Sequence, residues 1–84
     1  MAKIVKTTGE IIEISPKNGT DFKYDELHSV VDGYIEIVHL PHDEIMVVNE
    51  EGCLVGLELN IIASVLANTC IVGDVLVCKS KEVK

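Results

Sequence analysis

Residues 33–60, GYIEIVHLPHDEIMVVNEEGCLVGLELN, set short apolar runs between turn formers at intervals that strands satisfy and helices do not. Residues 34–40 are apolar on both sides except at Glu36 and His39, as in a strand covered on both faces. Pro41, His42 and Asp43 turn the chain, and residues 44–48 return through Ile45, Met46, Val47 and Val48. Asn49-Glu50-Glu51-Gly52 then reads as a second hairpin turn, with Gly52 free to take a left-handed backbone, and residues 53–56 are predicted as a third strand. The expectation is a three-stranded meander, with Asn60 beyond it placed to cap a helix.

The flanks supply the remaining elements. Residues 3–6 and 11–14 predict two strands joined by the turn Thr7-Thr8-Gly9-Glu10. Residues 15–20, SPKNGT, form a loop. From Phe22 the apolar period lengthens: Tyr24, Leu27, Val30 and Val31 share one helical face. Asp25 and Glu26 sit in the first turn, where they complement the helix dipole. Phe22 and Leu27 are spaced as a hydrophobic staple around Lys23, a poor cap, and Gly33 is expected to end the helix in the left-handed region.

After Asn60 a second helix is predicted over residues 61–67, burying Ile62, Val65 and Leu66 and stopped by Asn68 and Thr69. Gly73-Asp74 bends the chain into a last buried strand over residues 75–78. The predicted order is ββ-α-βββ-α-β, an α+β domain over residues 1–79 with a largely antiparallel sheet and two short helices. A charged flexible tail over residues 80–84 is expected to follow.

Composition narrows the function classes. Apolar residues make up 48% of the 84 and aromatics only 4%, so the core must be aliphatic. A small body with that much apolar side chain is expected to expose some of it, which predicts a homo-oligomer. Fourteen acidic against seven basic residues give a net charge of −7, and there is no arginine. A binder of the phosphate backbone needs clustered cations, so direct nucleic-acid binding is excluded. Any anion would have to rest on lysine, backbone N–H groups or a helix start. The three cysteines, Cys53, Cys70 and Cys78, lack metal-site or disulfide spacing and each lies in an apolar run; they read as small buried hydrophobes in a reducing cytoplasm. No signal peptide or membrane-spanning segment is expected.

The candidate constellations are few. His39, His42, Asp43 and Glu44 concentrate metal-ligating side chains, but they straddle a strand end and a proline turn with no zinc spacing, so a solvated turn is expected and no metal site is assigned. No cysteine or histidine is placed to build a nucleophile with its base, and no catalytic residue or cofactor is assigned. Asn60 and Gly73-Asp74 offer backbone to a ligand; the simpler reading makes Asn60 a cap and Gly73 a bulge.

Taken in order, Gly33-Tyr34-Ile35-Glu36, the Pro41 turn, Met46-Val47-Val48-Asn49-Glu50-Glu51-Gly52, Gly56-Leu57-Glu58-Leu59-Asn60 with Ala63 and Ala67, and Ile71-Val72-Gly73-Asp74-Val75-Leu76-Val77 form a recognisable pattern over residues 22–79. The pattern resembles a family of small phage- and plasmid-borne proteins known only as a domain of unknown function. Glu58 stands where that pattern would carry proline, and Lys23 where it would carry a better cap. The resemblance implies a non-enzymatic accessory protein acting in the host cytoplasm. Its leading role would be an anti-defence sponge that sequesters a cyclic nucleotide-type immune signal, in pockets between subunits. On that expectation Tyr34 stacks on a base, Asn60 and Gly73 present backbone donors, and Asn49 and Asp74 read base or ribose edges. The alternative is an acidic inhibitor that binds a host protein directly, mimicking nucleic acid.

Overall fold

The computed structural model describes residues 2–83. Five strands, β1 (Ala2–Val5), β2 (Ile11–Ile14), β3 (Ile35–His39), β4 (Glu44–Asn49) and β5 (Val75–Lys79), form one sheet in the order β2-β1-β5-β4-β3. Every neighbouring pair is antiparallel. Two helices, α1 (Tyr24–Val31) and α2 (Ile61–Ala67), complete an α+β fold.

The runs without alternation are explained by helices on both faces of the sheet. In β4, Ile45 and Val47 pack with Leu27 and Val31 of α1, while Met46 and Val48 pack with Ala63 of α2. In β5, Leu76 and Cys78 face the α1 side and Val75 the α2 side. A strand buried on both faces needs apolar residues at successive positions, and β4 has them over Ile45–Val48 and β5 over Val75–Cys78. The helix α1 carries the chain from one edge of the sheet, β2, across to the other, β3.

The third strand of the expected meander does not form. Residues 50–56 are turns. The Leu54 and Val55 N–H groups donate back to the Glu51 carbonyl at 2.9 and 3.0 Å, and the Leu57 N–H donates to Gly52 at 3.0 Å. The reason is edge saturation: β4 already pairs with β3 on one side and with β5 on the other. A strand returning from Asn49 would find no free row of hydrogen-bonding groups. The turn chemistry of residues 49–52 is used to leave the sheet instead.

Three smaller expectations also change. The left-handed residue ending α1 is Asp32 (φ 58°), whose N–H donates to the His28 carbonyl at 2.7 Å, rather than Gly33. On α2 the side facing the sheet is Ala63, with Ile62 and Ala67 half-buried, whereas Val65 and Leu66 point outward. The alanine lets the helix sit close to the strands, and this fixes its rotation. Residues 80–83, expected as a frayed tail, close as a 3-10 turn over Ser80–Glu82. There the Glu82 carboxylate accepts the Lys79 N–H at 3.0 Å, and the Glu82 carbonyl accepts the Phe22 N–H at 2.7 Å. Phe22 forms a parallel bridge with Val83, which closes this segment over the α1 side of the core.

The β3–β4 hairpin confirms the Pro41 turn and shows its geometry. His42 (φ 63°) and Asp43 (φ 60°) both take left-handed backbone, the type I′ form that matches strand twist. At the start of α1, Lys23 contributes no side-chain cap. The helix is closed by Glu26, whose carboxylate accepts the N–H of Lys23 at 2.7 Å and of Lys17 at 2.9 Å. These two bonds, the Lys23 bond foremost, hold the Glu26 carboxyl below its ordinary range. A depressed carboxyl stabilises above its unfolded value, and the contribution is lost as pH falls through its folded one. In a pH titration followed by NMR, the Lys17 and Lys23 amide resonances are expected to move together in one transition below the ordinary glutamate range. Independent or absent movement would contradict the shared tie.

Candidate functional site

Asn60 is fully buried. Its Oδ1 accepts the Ala63 N–H at 3.0 Å and so caps α2. Its Nδ2 donates to the carbonyl of Val5, at the end of β1, and to that of Gly73, each at 2.9 Å. Its own N–H donates to the Ile71 carbonyl at 2.8 Å, and its carbonyl accepts from the Ser64 N–H and hydroxyl. One side chain thus joins the end of β1, the start of α2 and the approach to β5. The sequence expectation that Asn60 caps a helix is met, and no hydrogen-bonding group of this amide is left for a ligand.

Gly73 has φ +80°, and a Cβ there would lie 2.7 Å from Leu57 Cδ1. Its N–H donates to the Glu58 carbonyl at 2.7 Å. Both backbone groups of Gly73 are therefore engaged within the chain. Asp74 is half-buried, and its Oδ1 accepts the Thr7 N–H at 3.0 Å, tying the β1–β2 turn to the start of β5. Asn49 repeats the logic on the other side. Its Nδ2 donates to the Val31 carbonyl at 3.0 Å, and its Oδ1 accepts the Glu51 N–H at 2.8 Å. A Cβ on Gly33 would fall 2.5 Å from Asn49 Nδ2. Gly33 is thus required by this close approach, not by its φ. Tyr34 differs from the other four: its side chain is 66% exposed.

The structure brings four of the five named residues onto one surface. Tyr34 and Asn49 line a hollow of about 560 Å³, and Gly73 and Asp74 line an adjoining one of about 280 Å³. The two share Asp32 and Leu57. Asn60 lies buried behind this surface and lines neither hollow. The rim is acidic: Asp32, Glu51 and Glu58 are exposed and Asp74 half-exposed. No described residue lining either hollow is a lysine, and His28 is the one basic type present. Its Nδ1 lies 2.8 Å from the Gly33 carbonyl, and its ring stacks on Tyr24 with centroids 5.8 Å apart. Sequence reasoning missed Asp32, Leu57 and Glu58, which only the packing of the 50–56 turns beside Gly73 makes neighbours.

The cysteines divide. Cys78 is buried, and desolvation, with Glu82 adding to it, raises its thiol to about 11. Cys53 and Cys70 are exposed, contrary to the expectation that all three are core residues. The reason is that residues 53–56 left the sheet and that Cys70 follows the left-handed stop at Asn68. Both line a further hollow over Val38 and Val48. Among the described residues, no group of three or more His, Cys, Asp or Glu stands within reach of one metal ion, the His39–Glu44 turn included. No helix among them is long and apolar enough to cross a membrane.

Compared with known proteins, residues 2–84 match the family model described as "Domain of unknown function (DUF3846)". No curated protein and no solved structure matches the chain.

Two outcomes are expected from this geometry. Asn60→Ala strands the Val5 and Gly73 carbonyls, at about 1–3 kcal/mol for each unsatisfied group, and removes a cap worth about 1 kcal/mol. Urea unfolding is expected to show a loss of about 3 kcal/mol or more; a loss within about 0.5 kcal/mol, the level of an ordinary surface change, would contradict the assignment. In dilute native protein near pH 8, a thiol reagent is expected to modify Cys53 and Cys70 rapidly and Cys78 only after unfolding. Peptide mapping reads the three sites separately, and rapid native labelling of Cys78 would contradict its burial.

Proposed function

We propose that this chain, which belongs to the DUF3846 family described as a domain of unknown function, is a non-enzymatic accessory protein that binds a basic surface of another protein. The observation that carries this reading is the paired hollow rimmed by Asp32, Glu51, Glu58 and Asp74 with no lysine among its described lining residues. Together with a net charge of −7, this rim attracts Lys- and Arg-bearing partners and speeds their encounter. Carboxylates around a shallow hollow offer a basic partner the same sign of charge as the phosphates of a nucleic acid, which supports the reading as a mimic. In the phage or plasmid setting that the sequence pattern suggests, the partner is a host defence protein and the compartment the host cytoplasm.

Sequestration of a cyclic nucleotide-type signal is the second reading. What favours it is Tyr34, exposed at the rim of the larger hollow and able to stack on a base. What ranks it second is charge and donor supply. The donors expected at Asn60 and Gly73 are spent inside the chain, and a phosphate would enter a ring of carboxylates.

Affinity capture from a bacterial host lysate at low and high salt tests the first reading. A basic protein is expected to be retained at low salt and released at high salt. Reversing the exposed rim charges with Glu51→Lys and Glu58→Lys is expected to abolish the capture while the protein stays folded by circular dichroism. Calorimetry against a panel of cyclic nucleotides is expected to give no binding. Nucleotide binding without protein capture would overturn the first reading in favour of the second.

A further inference from the structure

Of the large apolar side chains that stand exposed, most belong to the connection between β4 and β5. Leu54 is 84% exposed, Val65 75%, Ile61 68%, Leu59 51% and Leu66 49%. Ile61 and Val65 are four residues apart and lie one above the other on the outer side of α2. With Leu59 and Cys70 they line an open groove. Through Thr69 and Cys70 this groove continues into the hollow that Leu54 borders. The groove and the hollow are thus continuous, with Glu36 and Glu50 on the far side of the hollow, and no described residue covers the groove.

Charge says what does. From Leu59 to Gly73 the sequence has no charged residue, in a chain where one residue in four is charged and the net is −7. A contact between two copies about a two-fold axis places each surface against itself. Each carboxylate near that axis would meet its own copy, and like charges there cost several kcal/mol. An acidic chain self-associates at least electrostatic cost through a face that carries no charge, and the outer face of α2 is such a face. A basic partner would gain nothing there and is drawn to the carboxylate rim instead. We propose that the outer face of α2 is the interface of a homodimer, with the two α2 helices packed across a two-fold axis. A stable dimer buries about 800 Å² per partner, which is about 15% of the 5263 Å² surface of this chain. The groove of α2 lies at the centre of that contact, and Glu36 and Glu50, which line the Leu54 hollow beside it, fall toward its margin. The neutral Asn68 and Thr69 at the groove edge supply the polar rim that such interfaces carry.

The groove and the acidic hollows share no lining residue. A dimer built on the α2 groove buries none of the residues that line the hollows and presents two such pairs at once. The inference therefore stands or falls separately from the reading of the acidic rim.

Sedimentation equilibrium over a range of protein concentrations, with no partner or ligand added, tests it. The wild-type chain is expected at twice 9.2 kDa. Val65→Glu, a change at a position exposed in the single chain, is expected to stay folded by circular dichroism and to sediment as a monomer. Ile11→Glu, at an exposed position on the β2 edge, is expected to remain a dimer. A second readout is alkylation of Cys70, which is expected to slow as wild-type concentration rises and to lose that dependence in Val65→Glu. A wild-type monomer at concentrations up to about 100 µM, well above the micromolar range of ordinary specific association, overturns the proposal. So does a dimer that survives Val65→Glu unchanged.

Discussion

The buried amide of Asn60 is the constraint on which the arrangement of the chain depends. Its two N–H groups hold the carbonyls at the end of β1 and at Gly73, and its oxygen starts α2. These three segments are far apart in sequence: Val5 and Asn60 are 55 residues apart. A buried polar group is costly unless all its bonds are made. This one makes all of them only if β1, α2 and the Gly73 bend meet in one register. Asn49 acts in the same way on the other flank, holding the last carbonyls of α1 against the end of β4. The aliphatic core supplies most of the driving force, as it must in a chain with 4% aromatics. The two asparagines choose which packing that core adopts.

How much of this was legible in the sequence follows from which signals are local. Strands, helices and caps write themselves into neighbouring residues. The Asn60 cap, the helix over Tyr24–Val31, the Pro41 hairpin and the buried last strand could all be read, and with them the α+β class. Edge occupancy is not local. Residues 53–56 look like a strand, yet whether they pair depends on β5, some twenty residues later, taking the free side of β4. The rotation of α2 failed for the same reason. Val65 and Leu66 are the larger hydrophobes, but Ala63 is what fits against a sheet at close range. Glu82 bonds the nearby Lys79 N–H through its side chain, but the contact of its carbonyl with Phe22, sixty residues away in sequence, left no local signal.

The candidate site shows a similar division. The sequence pattern points to Tyr34, Asn49, Gly73 and Asp74 for ligand binding, and the fold gathers them around a joined pair of hollows. Their chemistry, however, turns inward. Every polar atom discussed on Asn49, Asn60 and Gly73 is spent on the backbone of its own chain, and Asp74 holds Thr7. Turn residues and ligand-binding residues come from the same short menu of Asn, Asp and Gly, because both tasks need left-handed backbone or a short side chain that bonds the main chain. Sequence alone does not separate the two uses; hydrogen-bond accounting does.

What is left on the surface after that accounting is sorted by charge. One side carries carboxylates around the hollows, and the outer face of α2 carries none over fifteen consecutive residues. The two surfaces call for different physics of association. Burial of apolar area is short-ranged and is not screened by salt, and it suits a permanent contact between copies. The field of the carboxylates reaches across a Debye length of about 10 Å at moderate salt, and it suits capture of a mobile basic partner. Placing both functions on one face would make each weaken the other, since the charges that recruit a cationic partner repel a second copy. An 84-residue chain has room for two such surfaces only if they are segregated. The turns of residues 50–56 leave the sheet and carry Glu51 to the acidic hollow and Leu54 to the hollow that adjoins the α2 groove, with Glu50 on its border.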